Sequence, residues 1–83
     1  MEDVKIYRVI GQMMRDARTF RGMTLDQIAN KMNVTIKTIQ RYELGERKIT
    51  IGTLVEIIEI LGLDYSSFMN EVYKRSQGDK NEP

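Results

Sequence analysis

The side chains of this sequence that could do chemistry are mostly hydrogen-bond donors. Lys37, Gln40 and Arg41 stand close together in the middle of the chain, and Arg47 and Lys48 follow shortly after. Guanidinium and ammonium groups only donate, and an amide both donates and accepts, so the cluster suits a partner rich in acceptors and negative charge. Bond-making chemistry has few actors here. With no cysteine and no histidine, the chain lacks thiolates, the commonest metal ligand and the usual general base near neutral pH. Its carboxylates are scattered without a second acid at a useful spacing, and no glycine-rich phosphate loop is present. The expectation is a chain that is not an enzyme, with no catalytic residue, no metal, no cofactor and no small-molecule ligand.

The charge is unevenly placed. Residues 1–48 hold ten Lys/Arg against six Asp/Glu, a net +4, whereas residues 49–83 hold three against six, a net −3, together giving the overall +1. One half can face an anion while the other faces away. The N-terminus has no basic region followed by an apolar run, and no stretch nears the roughly 20 apolar residues of a membrane span. A soluble, cytoplasmic protein is expected.

The elements that must position the donors read as five helices, with no period-two alternation anywhere. At 83 residues the chain is one all-α domain, residues 1–75, and the polar run from Ser76 onward is expected to be a disordered tail, 76–83. The first helix spans about Val4 to Arg21, with Ile6, Ile10, Met13, Met14, Ala17 and Phe20 on one stripe and Gly22 as its stop. Gly11 inside it costs about 1 kcal/mol relative to Ala, so the preceding turn is expected to be weak. Thr24 and Gln27 form a capping-box pattern for a second helix carrying Leu25, Ile28, Ala29 and Met32. Thr35 caps a third, closed by Gly45. Thr50 caps a fourth, with Ile51, Leu54, Val55, Ile57, Ile58 and Leu61, and Asp64 caps a fifth.

The joint between the second and third helices decides how the donors are presented. Ala29 leaves room for a neighbouring backbone, Asn33 tolerates the left-handed conformation of a sharp turn, and Val34 plugs the corner. On the third helix only Ile39 and Tyr42 point inward, while Lys37, Arg41 and Leu44 point nearly opposite, with Ile36 and Gln40 between the faces. A helix of about nine residues with so few anchors is not stable alone. This is a helix-turn-helix pattern, whose second helix projects, and basic and amide groups on a projecting helix fit the major groove of DNA. Glu43 stands on the inward side and requires a charged or hydrogen-bonding partner.

The segments "IGQMMRDAR", "RGMTLDQIANKMNV", "TIKTIQRYELGERK" and "TIGTLVEIIEILGL", in that order and spacing, resemble the lambda-repressor-like, Xre-type helix-turn-helix domains over residues 10–68. The resemblance implies a compact five-helix DNA-binding domain, usually a two-fold dimer that regulates transcription, and hence a nucleoid-associated one. It places the base-reading positions on Ile36, Lys37 and Arg41, with Gln40 beside them, and phosphate contacts on Thr35, Arg47 and Lys48. Where the family often has a phosphate-clamping Gln at the start of the second helix, this chain has Leu25, leaving its backbone amide for that role. The family's Glu on the third helix pairs with an Arg on the first. The matching residues here are Glu43 and Arg18, expected to latch the two helices together.

Arg15, Arg21 and Lys31 read as solubilising surface. Tyr65, Phe68, Met69, Val72 and Tyr73 of the last helix, with Ile60 before it, are more apolar surface than a short terminal helix needs. They are either plain core or a homodimer interface, and two recognition helices about 34 Å apart would read a palindromic operator in successive major grooves. The leading reading is a sequence-specific double-stranded DNA-binding regulator, a dimeric repressor. The alternatives are an antitoxin, which adds a toxin partner, a restriction-modification controller, or a protein-interaction module that has lost DNA binding.

Overall fold

The computed structural model describes the backbone over residues 3–77 and side chains over residues 5–77. Among the described residues every regular element is helical: α1 (Asp3–Phe20), α2 (Leu25–Met32), α3 (Ile36–Glu43), α4 (Ile51–Ile60) and α5 (Tyr65–Gln77). Each boundary has a local cause. Thr24 accepts the Gln27 amide while the Gln27 side chain accepts the Thr24 amide, a reciprocal capping box that starts α2. Thr35 and Thr50 cap α3 and α4 by accepting the amides of Thr38 and Thr53, and Asp64 accepts the Ser67 amide at 2.9 Å. Asn33, at φ 59°, takes the left-handed conformation that turns the chain from α2 into α3.

α1 packs against α3 and α5, α2 against α3 and α4, and α4 against α5. Met14, Ile28, Ile39, Ile57 and Leu61 form the fully enclosed centre of the core. Fully burying side chains of this size contributes about 1.5–3 kcal/mol each, which holds α3 despite its two turns.

Gly11 is not a defect in α1. It is buried, and a Cβ there would lie 2.3 Å from the Tyr42 carbonyl oxygen and 2.5 Å from that of Glu43. Only glycine lets the α1 backbone rest directly on the C-terminal end of α3. Gly45 extends the same contact: at φ +73° it turns the chain, and its Cβ would come within 2.8 Å of the Arg8 Cα.

Three expectations need correction. Phe20 is 87% exposed, because Ala17 and Met23 already close the core at that end of α1. Ile51 and Val55 are exposed as well. Val55 stands about 100° around the helix from the buried Leu54, so the stripe of α4 is narrower than its composition. α5 also runs past residue 75 to Gln77, and Ser76 is buried with its hydroxyl donating to the Tyr73 carbonyl at 3.0 Å. That internal bond lets a polar residue continue the helix. The rest of the expected tail, residues 78–83, lies outside the described residues.

Candidate nucleic-acid interface

α3 is fixed from behind and open in front. Ile39 is completely buried and Tyr42 nearly so, while Lys37, Gln40 and Arg41 are exposed and Ile36 borders them. Among the described residues no side-chain hydrogen bond or ion pair engages Lys37, Gln40 or Arg41. Beyond Gly45, Ile49 is buried and pins the α3–α4 loop that carries Arg47 and Lys48. The Arg47 guanidinium lies 5.9 Å from the centre of the Tyr42 ring, a cation–π contact that orders it beside α3. Neither Ile49 nor this contact was apparent from sequence; the signal for Ile49 is a lone apolar residue between a charged run and the cap at Thr50.

The acid on the inward side is held by Arg18. Its Nε donates to Glu43 Oε2 at 2.7 Å and its Nη2 to Oε1 at 3.0 Å, a bidentate pair. Nη1 donates to the Met23 carbonyl at 2.9 Å, so each of the three guanidinium nitrogens donates a hydrogen bond. The side chains are only 12% and 7% exposed. The hydrogen bond to Glu43, aided by that residue's charge, raises the Arg18 pKa against the opposing effect of burial, so the guanidinium stays charged. No buried side-chain polar atom lacks a partner among the described residues. The pair therefore locks α1, the α1–α2 turn and the end of α3 into one unit, which fixes how far the outer face of α3 projects.

The remaining sequence-derived positions fall as follows. The Thr35 oxygen accepts the Thr38 amide and shares a 3.0 Å hydrogen bond with the Thr38 hydroxyl, so its first role is capping. Leu25 is half-buried, its side chain packed against the core, and the capping box uses the amides of Thr24 and Gln27 rather than that of Leu25. Of the candidate dimer residues, Phe68 and Val72 are spent inside the protomer's own core. α5 must cover α1 and α4, and these two side chains do so. Tyr73, at 65% exposed, and Tyr65 remain outside, with Ile60 and Met69 half-buried.

A helix-turn-helix family model matches residues 14–68, more than half of the chain. The chain belongs to the lambda-repressor-like, Xre-type helix-turn-helix family. An uncharacterized HTH-type transcriptional regulator of Rickettsia prowazekii is 36% identical over 63 residues, which cover 74% of this chain and 48% of that protein. One from Sinorhizobium medicae is 29% identical over 75% of this chain and 45% of its own length. A third, described as an uncharacterized transcriptional regulator in the ATPase CF(0) region of Rhodospirillum rubrum, is 27% identical over 76% of this chain and 58% of its own. The chain thus spans about half the length of these curated relatives. The matched span of the helix-turn-helix family contains Arg18, Glu43 and the whole of α2 and α3. No helix among the described residues is long and apolar enough to cross a membrane.

Proposed function

We propose that the chain is a sequence-specific DNA-binding module of a transcriptional regulator, acting as a homodimer on a palindromic operator in the cytoplasm. The observation that carries this reading is the state of α3: Lys37, Gln40 and Arg41 unpaired and outward, on a helix clamped from behind by the Arg18–Glu43 pair. Exposed donors on a flexible loop would lose much of their binding energy to ordering; here the backbone is already fixed. Arg41 or Lys37 donates to guanine O6 and N7, Gln40 pairs with adenine, and Ile36 packs on a thymine methyl. Arg47, Lys48 and the Thr35 region meet phosphates and set orientation, contributing salt-dependent affinity without sequence preference. The exposed Tyr65 and Tyr73, with Ile60 and Met69, supply the dimer contact. Repression follows where the operator overlaps a promoter.

Selection of random duplexes with the purified protein, followed by titration at several salt concentrations, tests this. The expected result is a two-fold symmetric consensus with half-sites about 10 base pairs apart, centre to centre. Binding without sequence enrichment, or no binding at low salt, defeats it.

A further inference from the structure

A concavity of about 390 Å³ lies directly beside the reading face, between α1, the start of α2 and the end of α3. Gln12 and Arg15 of α1, Leu25 of α2, Gln40 of α3 and Leu44 just past its end line it. The Arg18–Glu43 pair forms its floor and is internally neutral, so Arg15 supplies the concavity's net charge. Unlike Arg18, Arg15 has no hydrogen-bond or ion-pair partner among the described residues, and it is exposed. Leu44 is an apolar side chain left 60% exposed on the same rim.

We propose, resting on the DNA-binding reading above, that this concavity seats one deoxyribose-phosphate unit of the DNA backbone and that Arg15 is its phosphate ligand. A sugar-phosphate unit has an apolar sugar face and a charged end, and the concavity offers two leucines beside one cation and two amides. Gln40 belongs to both surfaces, so a strand whose bases face α3 continues onto the concavity. The seat also answers the loss of the usual glutamine at the start of α2. Leu25 cannot donate through its side chain, and the donor comes instead from the neighbouring helix. In the sequence Arg15 reads as solubilising surface, because nothing local shows that α1 and α3 bring it into one concavity with Gln40.

The test compares Arg15→Ala with Arg21→Ala, which removes the same charge from the exposed turn just after α1. Both are titrated on the selected duplex across a salt series, and phosphate contacts are mapped by ethylation interference. The seat requires that Arg15→Ala flatten the slope of log K against log salt by about 0.9, one phosphate's worth of counterions. It should also lose one interference position in each half-site, leave base preference unchanged, and be restored in slope by Arg15→Lys. Thermal melts matching wild type exclude misfolding as the cause. Equal slopes for the Arg15 and Arg21 variants, with wild type still specific, overturn the seat and leave the DNA reading intact. Failure of wild type to bind any duplex overturns both.

Discussion

The fate of Gly11→Ala separates local from tertiary reasoning by sign. Considered as a residue of α1 alone, alanine should stabilise the helix by about 1 kcal/mol. The tertiary contact predicts the opposite. The new Cβ would stand 2.3, 2.5 and 2.8 Å from the Tyr42 oxygen, the Glu43 oxygen and the Glu43 carbonyl carbon. All three are backbone atoms and none can swing aside, so α1 and α3 must part by about 1 Å to reach ordinary contact near 3.5 Å. Overpacking of this kind costs about 1–3 kcal/mol, and the unyielding neighbours place this case at the upper end. The same movement stretches the 2.7 and 3.0 Å bonds of the Arg18–Glu43 pair, which crosses the same helix junction. After the propensity gain, a net loss of about 2 kcal/mol remains, and in a domain this small it lowers the melting temperature by roughly 10 °C. Gly52→Ala is the internal control: Gly52 lies within α4 with nothing within 4 Å of a Cβ, so that variant should melt at or above wild type. Calorimetry and urea melts read both. If Gly11→Ala melts as high as wild type, the inferred α1–α3 contact is wrong.

Arg18→Ala should destabilise by about 3–5 kcal/mol by leaving Glu43 buried and unpaired, whereas Arg18→Met with Glu43→Leu should recover most of that; equal losses in the two variants would show that the pair's charge is not the cause. The Asp64 carboxyl is held below its ordinary value of 3.8 by hydrogen bonds from the Ser67 amide and hydroxyl. A depressed folded-state pKa means that this cap contributes fully above the unfolded value and is lost as pH falls through the folded one. NMR of the Ser67 amide should therefore titrate below pH 3.8, and Asp64→Asn should abolish that step. On the selected operator, Arg41→Ala should cost about 1–3 kcal/mol and relax preference at one base pair, while Lys48→Ala should weaken all duplexes alike and reduce the salt slope, both read by quantitative shift assays.

Much of the molecule is written locally. Thr24, Asn33, Thr35, Thr50 and Asp64 set helix ends through hydrogen bonds and backbone conformations that reach only a few residues, so their positions were legible in the chain. The narrow inward face of α3 was equally legible, because the helical period alone places Ile39 and Tyr42 opposite Lys37 and Arg41. The partner of Glu43 was legible only through family resemblance, since the two residues are 25 positions apart and no local rule joins them. What the sequence could not decide is where helices meet. Periodicity ranks side chains by hydrophobicity but does not say where the neighbouring helix ends, which is why Phe20 and Ile51 were placed inside and stand outside. Gly11 carries the same lesson in reverse, as a local weakness that the crossing of α1 and α3 converts into a requirement. Sequence by itself determined the helices, their caps and the outward donors of α3. The tertiary structure alone decided that α1 brings Arg15 beside Gln40, because only packing brings residues so distant in the chain to one concavity.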